Sequence, residues 1–545
     1  TDGKLEKKSS SGRTLLSCTY FSNGSLESLT DASGKPVYYE YDWRGKLSGV
    51  KDENGNTLAQ YTHTPGGRLK EIRHGNGMYT RYEYDTDGNI IHLRIERPDG
   101  TALSDWQYEY DLNGNRTLKA GSFADAGDKL CGTVIRYRYD KMDRLTEEAH
   151  DGEAVGYSYD LCGNRIKKVD KNGSEVYTYN VKNQLASRKS EKSETCYRYD
   201  QQGNVLEATG TEGGTYYTYN AFNQQTKVRK SDGSCLESRY DAEYLRAGTV
   251  ENGKVSSFVY YNDELISELD QEQETARRYI LGYGVAAGWN HKNEGYHFYH
   301  LDEQNSTAYI TGMEGGIENR YQYDAFGVIT DRQEGFDNRI LYTGQQYDPI
   351  TEQYYLRARY YNPTVGRFLQ EDVYRGDGLN LYAYCENNPV IYYDPSGFDA
   401  IPVNKPGYFV YGLYDEGSDI PYYIGITNDP DRRRQQHIDS GRLNVESTKD
   451  YPVVGDLRYI ERNVTYGEAR GYEQFYIEKY DTRKGVRGIG VSQDNRQNIN
   501  NSYNKDRTDD RARYFNETYN RMKDEEKKNA NNQEDTHGGE NTCKE

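Results

Sequence analysis

The chain has 545 residues, too many for a single hydrophobic core, so it must contain several folding units. A mean hydropathy of -1.07 is typical of disordered chains, but 57 tyrosines supply large, partly polar faces and predict an ordered, sheet-rich interior. The net charge is -18, of which residues 1–398 carry -14 and residues 399–545 carry -4, from 23 Lys and Arg against 27 Asp and Glu. Because an acidic protein repels nucleic acid at long range, this charge excludes a general nucleic-acid-binding surface.

Cysteine usage and the two ends of the sequence carry limited information. The seven cysteines are odd in number and lack CxxC spacing, which predicts neither a disulfide framework nor a zinc site. No segment is apolar enough to be a stable membrane span. Because the sequence opens with Thr1 rather than Met, we expect an N-terminal portion to be missing, and the absence of a signal peptide says little about export.

One phrase, Tyr-x-Tyr-Asp/Asn with Gly and Asn following, recurs from residue 1 to about 330. Its tyrosine pairs are Tyr39/Tyr41, Tyr82/Tyr84, Tyr108/Tyr110, Tyr137/Tyr139, Tyr157/Tyr159, Tyr177/Tyr179, Tyr197/Tyr199 and Tyr217/Tyr219. From Tyr139 to Tyr219 the second tyrosine returns every 20 residues, a fixed period that is typical of stacked repeats. The alternation places both rings on one strand face, and Asp, Gly and Asn favour tight turns. We predict hairpins with packed tyrosine ladders; glycan or ligand binding by the rings is the alternative.

These repeats resemble the YD repeats of the Rhs family, including its wall-associated and polymorphic-toxin branches. Residues 321–327, 354–363 and 366–368 carry the same resemblance. It implies a mainly β shell over residues 1–330, in which antiparallel β-hairpins spiral around a C-terminal toxin, and a core-associated segment over residues 331–398. It further implies a secreted or cell-surface protein, a preceding delivery or plug portion, a toxin domain delivered into the target-cell cytoplasm, and a cognate immunity protein.

The repeat signature ends at Phe398, and two prolines follow before Gly407, which predicts a domain boundary. In many Rhs relatives two aspartates near this point cleave the chain, and the resemblance assigns those roles to Asp372 and Asp394, with the cut at Phe398-Asp399. Two carboxylates that share a proton can supply a base for water and an acid for the leaving amine. The alternative is a purely structural plug, because Glu371 and Val373 flank the first aspartate and Asp394 suits an ordinary Asp-Pro turn.

Beyond the boundary, residues 407–414 and 422–427 predict two strands. Alternation places Tyr411 on one face of the first strand and Tyr423 and Gly425 on one face of the second. Since glycine has no side chain, we expect Gly425 to admit a substrate backbone between the two phenols.

A helix is predicted next, with Asp429 as N-cap and Pro430 at its first position. Arg433 and His437 are four residues apart on it and face the same way. Arg432 and Arg434 flank them and extend a cationic patch that we expect to bind substrate, with a solvated surface as the alternative.

A second helix is predicted over residues 465–480, and Glu473 lies in the middle of its apolar stripe. Because an unpaired buried carboxylate is costly, we expect Glu473 to have a cationic partner. The partner is either a metal ion or, as the structural alternative, Arg433 or Arg470.

In this order and spacing, Tyr411, Tyr423-Ile424-Gly425, Arg433, His437 and Glu473 resemble the GIY-YIG nuclease family. The first triplet departs from the family pattern, so Tyr414 remains a rival to Tyr411. The resemblance implies a small α/β domain over residues 399–520, with a three-stranded antiparallel sheet flanked by helices, followed by a polar tail over residues 521–545. It also implies that the catalytic side chains are those of Tyr411, Tyr423, Arg433, His437 and Glu473. Glu473 would be the ligand of Mg²⁺ or another divalent cation such as Mn²⁺.

The function predicted for the whole chain is that of a polymorphic toxin whose endonuclease hydrolyses DNA. The same nuclease acting on RNA is one alternative, and a surface adhesion or carbohydrate-binding protein with an inactive tail is another. Asn498, Asn500 and Asn501 are further candidates for contact with substrate.

Overall fold

The computed structural model describes residues 4–398 apart from 11, 23, 44, 66, 126, 212 and 373–379. Beyond these it describes residues 400–402, 408–416, 418, 420–427, 433–434, 437–438, 442–443, 455–464, 466–484, 497–498, 519–520 and 522–523. The chain forms two compact units, one of Thr1–Asp372 with Asp377–Asn404 and one of Val373–Gly376 with Lys405–Glu545.

The first unit is built on one sheet of 31 strands, in which every strand pairs antiparallel with the next along the chain. The strands are β1 (Lys7–Ser10), β2 (Arg13–Tyr20), β3 (Leu26–Thr30), β4 (Pro36–Tyr41), β5 (Leu47–Lys51), β6 (Thr57–His63), β7 (Leu69–His74), β8 (Tyr79–Tyr84), β9 (Ile90–Glu96), β10 (Ala102–Tyr110), β11 (Arg116–Ala124), β12 (Leu130–Tyr139), β13 (Leu145–His150), β14 (Glu153–Tyr159), β15 (Arg165–Asp170), β16 (Gly173–Tyr179), β17 (Leu185–Lys189), β18 (Glu194–Tyr199), β19 (Val205–Gly210), β20 (Gly213–Tyr219), β21 (Gln225–Lys230), β22 (Cys235–Tyr240), β23 (Arg246–Glu251), β24 (Lys254–Tyr261), β25 (Glu264–Leu269), β26 (Thr275–Gly282), β27 (Gly284–Asn290), β28 (Asn293–Leu301), β29 (Thr307–Thr311), β30 (Ile317–Tyr323) and β31 (Ile329–Glu334). The prediction of a mainly β fold made of antiparallel hairpins is therefore confirmed.

The turn after β10 shows why the repeated phrase contains Asp, Gly and Asn. The Asp111 carboxylate accepts hydrogen bonds from the backbone N–H groups of Asn113 and Asn115, both at 2.9 Å, and from the Asn115 side chain at 3.1 Å. Gly114 has a φ of 83°, which glycine adopts without strain. The local chemistry of this turn thus explains why Asp, Gly and Asn recur in the repeat.

The two tyrosines of each phrase have different roles. The first ring is buried in six of the eight phrases, as at Tyr157 and Tyr177, and is partly exposed at Tyr82 and Tyr197. The second is partly exposed, and in several phrases its hydroxyl donates to a backbone carbonyl of the preceding hairpin, as from Tyr159 to Leu145 at 2.7 Å and from Tyr179 to Arg165 at 2.8 Å. The Tyr219 hydroxyl is an exception, because it is buried without a hydrogen-bond partner among the described residues. The tyrosine ladders therefore join successive hairpins by hydrogen bonds as well as by packing.

After the long sheet, residues 335–402 form short elements that pack on it. They comprise strands β32 (Gln346–Asp348), β33 (Gln353–Leu356), β34 (Arg359–Asn362), β35 (Arg367–Phe368), β36 (Tyr392–Tyr393) and β37 (Ile401–Pro402), with 3-10 turns at Tyr342–Gly344 and Cys385–Asn387. The fully buried Arg246 joins the two parts, because its Nη1 donates to Asp348 at 2.5 Å and its Nη2 to Gln346 at 3.0 Å.

Replacing Asp348 with Ala should lower the free energy of unfolding of this unit by about 3–5 kcal/mol, since the change leaves Arg246 charged and buried without its main partner. The midpoint of urea unfolding, followed by near-UV circular dichroism of the tyrosines, measures the effect. Asp348→Asn keeps the shape and an acceptor oxygen and should cost less. A change below about 1 kcal/mol for Asp348→Ala would show that the ion pair does not hold the segment in place.

The second unit contains a three-stranded antiparallel sheet with β38 (Tyr408–Asp415) between β39 (Tyr423–Thr427) and β40 (Gly455–Val464). Helix α1 (Tyr466–Lys479) packs on it through Phe475 and Ile477, which bury against Val410 and Ile424. The two strands and the second helix predicted from the sequence agree with these bounds within one residue. The predicted helix start at Asp429 and Pro430 lies outside the described residues, and no described helix has the length and apolar character needed to cross a membrane.

Candidate active site

The pairing of β38 with β39 places Tyr411 directly opposite Gly425. Tyr411 is completely buried, and a Cβ atom added at Gly425 would lie 2.4 Å from its hydroxyl oxygen. Gly425 therefore makes room for the Tyr411 phenol. The space beside this glycine is filled by the protein itself, whereas we had expected it to admit substrate.

Gly425→Ala should reduce nuclease activity by about 10²-fold, because the added methyl group displaces the Tyr411 phenol by the order of 1 Å. The matched control is Gly412→Ala, in the neighbouring strand, where the added Cβ would meet the Tyr414 ring at 2.6 Å and Pro421 at 2.9 Å. Both variants should lose stability, so kcat measured on the folded fraction separates them. Equal kcat values for the two would contradict this account of Gly425.

Four of the predicted side chains meet at this point of the sheet. The Tyr411 hydroxyl accepts a hydrogen bond from Arg433 Nε at 3.0 Å and lies 2.7 Å from His437 Nε2. The Tyr423 ring lies 6.4 Å from the Tyr411 ring and 5.1 Å from the His437 ring, measured between centroids. Arg433 and His437 are both helical, so their separation of four residues directs both side chains to the same phenol.

The charge states of Arg433 and His437 limit how the Tyr411 hydroxyl can form hydrogen bonds. Arginine only donates, so the Tyr411 oxygen is the acceptor from Arg433. Burial, together with the positive charges of Arg433 and Arg442, lowers the pKa of His437 to about 3, so His437 is neutral at physiological pH. A neutral imidazole has one donor and one acceptor nitrogen, so Nε2 can accept the proton of Tyr411 in the tautomer that is protonated at Nδ1.

Burial raises the pKa of Tyr411 far above its ordinary value, and the nearby Tyr423 and Glu473 raise it further, while Arg433 acts in the opposite direction. In the structure desolvation outweighs the charge of Arg433, so Tyr411 remains a phenol, and its hydroxyl is hydrogen-bonded to His437.

Glu473 is buried in α1, with 8% of its surface exposed. Its carboxylate acts on the Tyr411 pKa, which places it within electrostatic range of the phenol, and its Oε2 atom lies 3.2 Å from Arg470 Nη1. The structural partner weighed from the sequence is thus present, but this contact is longer than the 2.7–2.9 Å that is usual for such a pair. Residues 473–477 are all buried, so the helix is enclosed here on more than a single stripe.

A single buried carboxylate suits Mg²⁺, which keeps several of its waters and takes only one or two carboxylates together with substrate phosphate. No group of three or more His, Cys, Asp or Glu side chains converges among the described residues.

The remaining predicted site residues occupy different positions. Asn498 is buried, and its amide accepts from Ile424 N at 2.8 Å and donates to Ile424 O at 2.7 Å, so it supports β39 between Tyr423 and Gly425. Arg434 is helical and partly exposed, and Tyr414 packs under Arg458, away from the Tyr411 hydrogen bonds. Arg432, Asn500 and Asn501 lie outside the described residues.

Sequence reasoning missed Arg442, whose guanidinium carbon lies 4.8 Å from the centre of the Tyr423 ring. Its charge also reaches His437, five residues earlier. In the sequence Arg442 stands out only as a basic residue after Gly441, soon after the predicted helix. Nothing in the neighbouring sequence indicates that it contacts Tyr423 on another element.

The cluster predicts an unusual dependence of activity on pH. Because the pKa of His437 is about 3 in the folded protein, we expect log(kcat/KM) to show no inflection near pH 6.5 from this residue. The effect of pH on stability through His437 has the opposite sign to that of a salt-bridged histidine. The contribution of His437 to the free energy of unfolding is complete above pH 6.5 and is lost as the pH falls from 6.5 toward 3, because only the unfolded chain takes up the proton over this range. A pH–rate profile that falls with an apparent pKa of 6–7, and that His437→Gln flattens, would contradict this assignment.

In the first unit, the two aspartates considered for self-cleavage are both buried and share one arginine. Arg359 Nη2 lies 2.7 Å from Asp372 and 3.7 Å from Asp394. Asp394 Oδ1 also accepts hydrogen bonds from the backbone N–H groups of Gly397 at 2.7 Å and Phe398 at 3.2 Å. This carboxylate is therefore held against the backbone just before the proposed cut, while Asp399 lies outside the described residues.

Comparison with known proteins places both parts of the chain in families. Residues 132–390 match the family model of the Teneurin YD-shell, and residues 407–486 match that of the GIY-YIG catalytic domain. The tRNA nuclease WapA of Bacillus subtilis strain 168 is 32% identical over 382 residues, which is 60% of this chain but 16% of WapA. The double-stranded DNA deaminase toxin A of Burkholderia cenocepacia strain H111 is 26% identical over 344 residues, 60% of this chain and 19% of that protein.

The fold is also that of a solved structure. The crystal structure of TcdB2-TccC3-TEV superposes with a TM-score of 0.60 at 20% identity, over 70% of this chain and 21% of that one. The chain thus spans less than a quarter of the length of these relatives. It carries a segment that matches the Teneurin YD-shell and a C-terminal segment that matches the GIY-YIG catalytic domain.

Proposed function

We propose that the chain is part of a polymorphic toxin in which the YD-repeat shell delivers a metal-dependent endonuclease. The observation that carries the proposal is the hydrogen-bonded set of Tyr411, Arg433 and His437 next to Tyr423 and Glu473, within the segment that matches the GIY-YIG model. A guanidinium, a relay for one proton and a buried carboxylate are the groups that phosphodiester hydrolysis requires.

In this mechanism Tyr411 accepts the proton of the attacking water as it passes its own proton to His437 Nε2, so neither residue has to carry a stable charge beforehand. Arg433 already donates to the Tyr411 oxygen and is placed to stabilise negative charge that builds up on the phosphate. Tyr423, which is partly exposed, orients the scissile phosphate at the surface of the cluster.

Glu473 would hold Mg²⁺ or Mn²⁺, which supplies Lewis-acid stabilisation of the leaving oxygen. Binding requires the cation to compete with Arg470 for the same carboxylate. The contact between Glu473 and Arg470 is long, which favours replacement of Arg470 by the metal ion.

We also propose that the segment containing Asp372 and Asp394 cleaves the chain between Phe398 and Asp399. One carboxylate of the Asp372 and Asp394 pair removes a proton from water, which adds to the carbonyl carbon of Phe398. The other donates a proton to the Asp399 nitrogen as the amide bond breaks, so that residues 399–545 are released as a separate chain. Arg359 supports the proposal because it holds both carboxylates in one place.

DNA is the first candidate substrate and RNA the second. The RNA candidate rests on the WapA relatives, which are named as tRNA nucleases, whereas the similar Burkholderia protein is named as a DNA deaminase. Since both resemble this chain over the same 60% share and differ in chemistry, neither name transfers its substrate. A cognate immunity protein, a preceding delivery portion and entry into the target-cell cytoplasm belong to the same proposal.

Expression of the chain in bacterial cells tests the substrate. Chromosome fragmentation on pulsed-field gels with intact tRNA would establish a DNase, and the reverse would establish an RNase. Arg433→Ala and Glu473→Ala should protect the cells in either case. If the parent and both variants leave DNA and RNA equally intact, the protein is better explained as an adhesion or carbohydrate-binding protein.

A further inference from the structure

Arg442 lies at the surface of the nuclease cluster, and several contacts fix its position. Its backbone N–H donates to the carbonyl of His437 at 2.9 Å, and its own carbonyl accepts from the Tyr422 hydroxyl at 2.9 Å. Its guanidinium lies over the Tyr423 ring at 4.8 Å. Both the backbone and the side chain of Arg442 are thus held to the strand and helix that carry the catalytic cluster.

Two guanidinium groups meet at Tyr423 in this arrangement. Arg433 interacts with the Tyr423 hydroxyl, and Arg442 covers a face of the same ring. The charges of both arginines also reach the buried His437. Two like charges brought to one residue repel each other, and a polyanion that passes over Tyr423 would relieve this repulsion.

The layers of the cluster indicate which groups face the substrate. Tyr411 and His437 are 0% and 1% exposed and form the buried layer. Tyr423, Arg433 and Arg442 are all partly exposed and form the layer above it. A substrate phosphate that reaches Tyr423 therefore meets both arginines before it meets the buried pair.

We propose that Arg442 is a substrate-binding residue that holds a backbone phosphate adjacent to the scissile one, while Arg433 contacts the scissile phosphate itself. The proposal rests on the nuclease function proposed above. The contact with the Tyr423 ring fixes the position of the Arg442 guanidinium, a group whose planar set of N–H donors suits phosphate oxygens. Recognition by this contact follows the backbone and is independent of base sequence.

A purely structural role, in which Arg442 only packs on Tyr423, makes a different prediction. Loss of packing would misplace Tyr423 and lower kcat, but would leave the salt dependence of binding unchanged. Loss of a phosphate contact would weaken binding and reduce the salt dependence, because one fewer counterion is released from the nucleic acid.

The test measures binding of the full chain to fluorescent 20-nucleotide DNA duplex and to tRNA, between 50 and 300 mM KCl, in a Glu473→Gln background that prevents cleavage. For whichever nucleic acid binds, Arg442→Gln should raise Kd about tenfold and reduce the slope of log Kd against log salt by about 1. Arg442→Lys keeps the charge and should retain most of the slope. With Glu473 restored, Arg442→Gln should raise KM by about tenfold and change kcat by a smaller factor.

The matched control is Arg458→Gln. Arg458 lies over the Tyr414 ring at the same 4.8 Å and donates to Ser418, so its replacement removes an equal charge from an equal stack elsewhere in the domain. Its Kd and salt slope should equal those of the parent. The proposal is overturned if Arg442→Gln lowers kcat with the slope unchanged, or if both variants shift the slope equally. If the parent neither binds nor cuts any nucleic acid, it is the nuclease function itself that fails.

Discussion

Glu473→Gln and Arg433→Ala are each expected to lower kcat for phosphodiester cleavage by about 10²–10³-fold, the usual effect of removing one electrostatic contact to a transition state. The first change removes the only buried carboxylate that the described structure brings near Tyr411, and with it the proposed metal ligand. The second removes the donor to the Tyr411 oxygen. KM should change much less than kcat in both variants.

Glu478→Gln is the matched control for Glu473→Gln, because Glu478 lies on the same helix and accepts hydrogen bonds from Gln474 and Tyr519 outside the cluster. Initial rates under single-turnover conditions should show parent-like activity for this variant. If Glu473→Gln and Glu478→Gln have the same rate, the catalytic role of Glu473 is refuted.

The second large effect concerns the covalent state of the chain. Asp372→Asn and Asp394→Asn should each keep the chain at its full mass of 62.9 kDa, whereas the parent should separate into residues 1–398 and 399–545. Asparagine keeps the shape of the side chain but can neither deprotonate water nor protonate the leaving nitrogen. Mass spectrometry of the purified proteins measures both the cleavage and its position.

Asp348→Asn serves as the control, because Asp348 is another buried aspartate of the same segment that pairs with an arginine. It should leave cleavage complete. An uncut parent chain, or cleavage that persists in Asp394→Asn, would show that the pair held by Arg359 is part of a structural plug.

Features set by neighbours in sequence were predictable, and features set by distant partners were not. The turn at Asp111 and Gly114 depends on five consecutive residues, so its chemistry follows from the repeat itself. The rise in the Tyr411 pKa depends on how deeply the sheet buries the phenol, which no local sequence pattern specifies.

Arg359 and Asn498 illustrate the same limit. Arg359 holds aspartates 13 and 35 residues away in sequence, and in the sequence it stands among aromatic residues with no sign of those partners. Asn498 was predicted to contact substrate because it stands in a polar, asparagine-rich stretch. Its amide is instead bonded to the backbone of Ile424, 74 residues earlier, a contact that arises only from the tertiary fold.

Cleavage of a defined nucleic acid by the purified chain, with and without added Mg²⁺, tests the nuclease assignment most directly. We predict cleavage of either plasmid DNA or tRNA that begins on addition of Mg²⁺, stops with EDTA, and is absent from Glu473→Gln at every Mg²⁺ concentration. Cleavage that is indifferent to EDTA and equally fast in Glu473→Gln would contradict the assignment, as would a parent chain that cuts neither substrate.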